Sequence, residues 1–421
     1  MFGLSRYQWF VLFAAWLGWG FDIFDGLLFN FVAPICIPYL LGLDPLDPAS
    51  KQITMYWTAS LTSLLLVGWA IGGILFGKLT DRLGRTRTLL LTMLTYALGT
   101  AACAFAPHIA VLALFRFIAA LGIGGEWAAG AALVAETLPK HRRVLGGALL
   151  YTSAPVGLFL ATFVNDLFTR QLDGIASDPS LSWRAVFLTG LLPAAVALLL
   201  RLKIKESSEW SPSETPPALG ELFTPELRAR TWGGLSLAIV ALVTWWSISA
   251  FIPVMASFLA PEPSQKTRFI TIATTAFNAG GVVGTLLTVP LALLLGRRPM
   301  FAIYFAVSAV SVFAAFGLQL EPLHRLYAMA PIGLGVFGIF GAFSFYLPEL
   351  FPTRLRGTGA GFCYNAGRLV TAAFPFAVGV IVRSGENPLD VLRWVAIAPV
   401  VGLVLLAVGV GYETRETAVQ P

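Results

Sequence analysis

The chain has 421 residues, of which 57% are hydrophobic and only 12% charged, with a net charge of +6. A soluble protein of this length folds as two or three domains whose polar surfaces carry about a quarter of the residues as charges. This chain has too little charge to cover such surfaces, which excludes a soluble enzyme, a disordered protein and a nucleic-acid binder.

A bilayer core of about 30 Å takes about 20 apolar residues per helix. Twelve such runs follow one another: 9–40, 52–77, 87–106, 109–135, 144–169, 184–203, 231–259, 268–295, 299–318, 323–347, 358–383 and 389–411. They are continuous rather than alternating, so they predict helices and not strands. The expected fold is an all-α membrane protein with twelve transmembrane helices. The first run is too long for a signal peptide, lacks a small-residue cleavage site, and carries Asp22, Asp25 and Asn30. The second ends in the charged turn 77–87, GKLTDRLGRTR. The fourth holds Arg116 and Glu126. Asp166 lies near the outer end of the fifth and is expected to be solvated. Residues 205–229 are charged and Pro-rich and read as a linker. They divide the chain into a bundle at 1–204, the linker, a second bundle at 230–412 and a tail at 413–421. In the second bundle Trp245 and Trp246 lie in the seventh run, Asn278 in the eighth, and Phe337, Phe340, Phe343 and Tyr346 in the tenth. The eleventh holds Tyr364, Asn365 and Arg368. Cys36, Cys103 and Cys363 stand far apart in apolar runs, so they read as buried hydrophobes and form neither a metal site nor a disulfide framework. No cofactor is expected.

Orientation follows from the basic residues. With the N-terminus inside, 18 of the 28 Lys and Arg fall in inner segments and eight in outer ones. This places both termini in the cytoplasm. The basic balance is therefore a property of topology, and the surrounding partner is a lipid bilayer rather than nucleic acid.

The two bundles repeat. At an offset of 212, residues 68–86 lie over 280–298, with Gly68 on Gly280, Gly72 on Gly284 and Gly84-Arg85 on Gly296-Arg297. At 213, residues 135–147 lie over 348–360, with Glu136 on Glu349, Pro139 on Pro352 and Arg143 on Arg356. Two matches at nearly one offset indicate a duplicated six-helix unit, a common plan of secondary transporters.

The stretch Gly77 to Arg87 resembles the helix 2–3 loop motif of the major facilitator superfamily. Residues 116–143 and 348–368 are similar to the sialate/lactate:proton symporters and neighbouring organic-acid families. The resemblance implies two pseudo-symmetric six-helix bundles in the cytoplasmic membrane, acting as a monomer by alternating access. It implies an inner charge latch at Asp81, Arg82 and Arg85. The second-half copy has Leu293 where the Asp would stand, which leaves a symmetric latch in doubt. Arg116 matches the helix-4 Arg associated with proton-coupled members, and Arg368 the helix-11 Arg linked to anionic substrates.

A charge at the bilayer centre costs about 2.5–3.5 kcal/mol on insertion scales, so each marks a functional position. At 1.5 Å per residue, Asp22 lies roughly 20 Å along its helix from Trp9, Glu126 roughly 15 Å from Glu136, and Arg368 roughly 16 Å from Gly357. Asp25 stands at i+3 from Asp22, on the same face. The Arg368 guanidinium cannot give up its charge and forms a fork that suits a carboxylate. It reads either as the anchor of an anionic substrate or as an ion pair with Asp22, Asp25 or Glu126. Asp25, then Glu126, then Asp22 are candidate proton carriers, with Arg116 either coupled to them or paired structurally. Tyr364, Asn365, Asn278 and Asn30 are candidate cavity residues, and the aromatic residues of runs seven and ten candidate walls. The expected function is proton-coupled symport of a small organic anion, a monocarboxylate or related acid. Two other readings stay open: a transporter of a neutral or cationic solute with a structural Arg368, and a membrane receptor that moves nothing. An enzyme is not expected, since no nucleophile–base pair or metal cluster is visible.

Overall fold

The structure, a computed structural model, describes residues 5–44, 47–83, 85–138, 143–191, 195, 199, 218–352 and 355–411; for 48, 77, 78, 80–83, 85, 86, 89, 125–136, 143 and 144 it describes the backbone alone. In chain order the helices are α1 (Arg6–Leu41), α2 (Pro48–Leu83), α3 (Arg85–Cys103), α4 (Ile109–Thr137), α5 (Arg143–Tyr151), α6 (Ser153–Asp166), α7 (Asp173–Ala176), α8 (Pro179–Leu188) and α9 (Arg228–Ser249). There follow α10 (Ile252–Leu259), α11 (Lys266–Leu294), α12 (Arg297–Gly317), α13 (Pro322–Tyr327), α14 (Met329–Glu349), α15 (Arg356–Thr371), α16 (Ala373–Arg383), α17 (Pro388–Arg393) and α18 (Ile397–Ala407). Among the described residues nine stretches are long and apolar enough to cross a membrane, and Leu90–Cys103 and Ile109–Gly124 add two shorter apolar helices. These eleven match eleven of the twelve expected runs. The sixth begins in α8, and most of the rest of it lies outside the described residues, as do 205–217 of the linker and the tail at 413–421.

Several runs hold two helices because of proline. Thr152, Ala250, Ala328, Ala372 and Ala396 each stand three residues before a proline, namely Pro155, Pro253, Pro331, Pro375 and Pro399. Proline lacks the N–H that would bond one turn back, and its ring crowds the carbonyl there. The five residues keep right-handed helical torsions with ψ between −10° and −30°. The turn tightens, and the chain keeps its direction across the membrane. Buried hydroxyls inside the spans are satisfied locally: Thr54, Thr58, Thr244 and Thr371 each donate to the carbonyl four residues earlier, at 2.7–2.8 Å. A polar side chain in a helix apolar on all faces is thereby kept from being an unmet group in lipid.

The sequence repeat reappears as packing. A Cβ on Gly72 would stand 2.0 Å from the carbonyl oxygen of Leu121, and one on Gly284 would stand 2.0 Å from that of Leu334. Leu121 and Leu334 are themselves related by the offset of 213. In each half, glycines let the second helix of the unit lie backbone-to-backbone on the fourth, α2 on α4 and α11 on α14, the close approach typical of membrane helices.

The halves meet along two seams. Toward the outer side, α2 packs on α16: Tyr56 lies 6.2 Å from the Phe376 ring, and the Arg383 guanidinium sits 4.5 Å over Tyr56. There too α6 and the turn that follows it face α11. Thr162 donates to Thr274 at 3.1 Å, Thr271 to Asp166 at 2.9 Å, and Thr169 stands 3.2 Å from Thr267. Asp166 is only 5% exposed, so the expected solvated carboxylate is instead covered by the second half. It also accepts from Arg170 at 2.7 and 2.8 Å and from Gln171 at 2.6 Å. A π-helical turn, Leu167–Gln171, carries these two donors. Deeper, the Tyr151 and Phe340 rings stack at 6.1 Å across the halves.

Candidate functional site

The seams enclose a central cavity. The first half contributes Trp19, Ile23, Trp69, Tyr151 and Ala154; the second contributes Trp245, Trp246, Phe340, Tyr364 and Arg368. Seven of the ten are aromatic and one is charged. The free space between them is about 10 Å³, close to the least that holds one water. The walls are therefore closed on one another and must part to admit a ligand of several heavy atoms.

Arg368 projects from the last turn of α15 and is 2% exposed. Its guanidinium carbon lies 4.2 Å over the Trp69 ring and 4.7 Å over the Tyr364 ring. This is a cation held between two π faces in a dry setting, where that attraction is strongest. Its Nη1 donates to Asn365 Oδ1 at 3.0 Å, and its buried Nε has no hydrogen-bond partner among the described residues. The Tyr364 ring meets Phe340 edge to face at 6.2 Å. Among the described side chains no carboxylate comes within ion-pair distance of Arg368. Asp22 and Asp25 are buried on α1 but do not line the cavity; the Glu126 side chain lies outside the described residues.

Asp25 faces the interior of the first half. Its carboxylate lies against Gly190 and Thr100, close enough that a Cβ on Gly190 would stand 2.3 Å from Oδ1. Arg116, fully buried on α4, reaches the same place but grips the backbone. Its two terminal nitrogens donate to the carbonyls of Asp25, at 3.4 Å, and Gly26. The Trp69 ring whose face carries Arg368 also packs against α1 at Gly26, where a Cβ would lie 4.0 Å from it.

The remaining expected residues divide. Asn278 donates to Thr162 at 3.4 Å across the outer seam, and Asn30 accepts from Thr62 at 3.4 Å within the first half; neither lines the cavity. Trp245, Trp246 and Phe340 do line it. Phe337 meets Trp245 edge to face at 6.0 Å, and Phe343 and Tyr346 pack on Phe301 in the core of the second half. The side chains of Asp81, Arg82 and Arg85 lie outside the described residues. Their second-half counterpart is described: Arg297 binds Glu349 bidentately at 2.9 and 3.2 Å and the Ala292 carbonyl at 3.1 Å. Sequence reasoning missed this ion pair, although Glu349 and Arg297 are the repeat partners of Glu136 and Arg85. It also missed Trp19, Trp69 and Tyr151 as walls. Among the described residues no cluster of three His, Cys, Asp or Glu could hold a metal, and Cys36, Cys103 and Cys363 are free and buried.

A family model described as Major Facilitator Superfamily matches residues 9–375. A putative metabolite transport protein of Haemophilus influenzae is 30% identical over 391 residues, 90% of each chain. The sialic acid transporter NanX of Escherichia coli is 27% identical over 94% of this chain and 93% of its own. Among solved structures, a D-xylose-proton symporter superposes with a TM-score of 0.78 at 17% identity, covering 97% of this chain and 99% of that one. That last likeness shows the fold alone.

Proposed function

Because the chain belongs to the major facilitator superfamily, and is thus a multi-pass transporter of the cell membrane and not an enzyme, we propose that it carries a small organic anion together with at least one proton, in the same direction. The cargo is a monocarboxylate or related organic acid. One observation carries this reading: Arg368 sits dry at the centre with no described carboxylate against it and a donor to spare. Burying an unpaired charge is costly. An anionic cargo supplies both the neutralising charge and the missing acceptor. A relative named for the transport of sialic acid points the same way. A sugar needs several polar side chains around it, and this cavity offers mostly ring faces.

On this reading the halves, residues 1–204 and 230–412 joined by 205–229, rock about the central site, and one chain is the transporting unit. Asp25 is the first candidate for the proton, buried beside Arg116, which donates to its backbone carbonyl.

The test is binding of organic acids to the purified protein before and after Arg368→Ala. Each hydrogen bond to a charged group contributes about 1.5–3 kcal/mol, so the variant is expected to lose at least about tenfold in affinity for a carboxylate. A variant that binds and transports acids as the native chain does would show that Arg368 is structural.

A further inference from the structure

We infer that the indole N–H groups of Trp69 and Trp245 are substrate donors. With Arg368 they make the site selective for planar, conjugated carboxylates that carry a second hydrogen-bond acceptor on the ring. The inference rests on the reading of Arg368 as a carboxylate anchor and narrows its cargo.

Trp69 Nε1, Trp245 Nε1 and Arg368 Nε are all buried, and among the described residues none has a hydrogen-bond partner. All three side chains line the one cavity between the halves. A buried donor left unmet is destabilising, and natural cores hold few of them. Three on side chains that wall one space would all be met by a cargo with several acceptors. Arg368 takes the carboxylate. The indoles, neutral donors that accept nothing, are left for a neutral acceptor such as a ring nitrogen, a hydroxyl or a carbonyl.

The shape of the cargo follows from the walls. Trp245 and Trp246 pack edge to face with centroids 4.6 Å apart, Trp246 meets Trp69 edge to face at 5.8 Å, and Phe340 meets Trp245 at 6.1 Å. Walls that are mostly aromatic offer ring faces and edges once they part, and a flat conjugated ring meets them through the same stacked and edge contacts. A chain-like or puckered acid makes fewer of them. The donors also come from both sides: Trp69 from the first half, Trp245 and Arg368 from the second. A cargo that uses all of them ties the halves together, whereas an aliphatic monocarboxylate ties only Arg368.

The test uses the full-length protein in detergent and four acids: nicotinate and 4-hydroxybenzoate, which carry a second acceptor, and benzoate and cyclohexanecarboxylate, which do not. Affinities are measured by calorimetry for the native chain and for Trp245→Phe and Trp69→Phe, which keep a ring and remove the N–H. The native protein is expected to bind nicotinate or 4-hydroxybenzoate about tenfold more tightly than benzoate, the size of one neutral hydrogen bond, and cyclohexanecarboxylate most weakly. Trp245→Phe or Trp69→Phe should bring the better acid down to the level of benzoate and leave benzoate nearly unchanged. Equal affinities for all four acids in the native chain, or a preference that survives both substitutions, would overturn the inference while leaving the carboxylate reading intact. If none of the four binds with any dependence on Arg368, the carboxylate reading itself fails. The ranking in the native chain needs no variant to fold.

Discussion

Arg116 and Arg368 are equally buried, yet their surroundings assign them different work. Arg116 places both terminal nitrogens on the backbone carbonyls of α1, so its acceptors are fixed parts of the protein. Both keep an Nε with no partner among the described residues, but Arg368 faces ring surfaces and lines the cavity that an anion would enter. Between them Asp25 lies buried in the first half beside Thr100 and Gly190. In the proposed mechanism this carboxylate takes up the proton as the site loads and releases it as the site empties. Asp25→Asn keeps the shape and removes the titration. Proteoliposomes with the variant are expected to stop accumulating acid against an imposed pH gradient while still exchanging labelled for unlabelled acid at zero gradient. Accumulation that persists would move the proton elsewhere. Of these residues, the two arginines and Asp25 were legible in the sequence, because a charge inside an apolar run is conspicuous. The indole donors were not, because tryptophan in such a run looks the same whether it packs or binds. Nor were Arg116's partners, since every residue offers a carbonyl.

Among the helices, proline and glycine set the geometry that brings these side chains together. The proline at i+3 tightens α15 into α16 just beyond Arg368 and α5 into α6 just beyond Tyr151, and the continuous runs of apolar residues still predicted each as one crossing. Glycine decides how near two crossings come. At Gly72 a Cβ would collide with the Leu121 backbone, whereas at Gly361 nothing stands within 4 Å. Gly72→Ala is expected to lower the thermal midpoint in detergent, with overpacking of about 1–3 kcal/mol. Gly361→Ala should hold or raise it, because glycine inside a helix is worse than alanine by about 0.5–1 kcal/mol. Equal midpoints for the two variants would mean that α2 can back away from α4 at little cost. The repeat offset announced this contact in both halves, and it also paired Arg297 with Arg85 and Glu349 with Glu136. What it lacked was the third dimension. Asp166 sits near a helix end, where a carboxylate is normally wet, and only the fold shows α11 covering it.

At the scale of the whole molecule, the outer seam of α6 and α11 is a ladder of hydroxyls with one carboxylate, repeating about once per helical turn from Thr162 to Thr169. Hydroxyl contacts of this kind contribute about 1 kcal/mol each, enough to bias an opening equilibrium and weak enough to be undone in every cycle. Thr271→Val removes the donor to Asp166 at nearly constant volume. In cells bearing Thr169→Cys, the added Thr271→Val is expected to raise labelling by a membrane-impermeant maleimide at least about tenfold, the effect on an equilibrium of one hydrogen bond to a charged group, about 1.5–3 kcal/mol. The native thiols are buried, so their background is low. An unchanged rate would mean that this rung does not hold the seam shut.

The cavity is walled by five residues from each half, so whatever it grips is gripped by two bodies that must separate. Affinity and turnover then pull in opposite directions: each contact that spans the divide deepens the closed state and lengthens the wait for release. The compound that fits this space best should therefore be a blocker, and the natural cargo a compromise that leaves some of the grip unused.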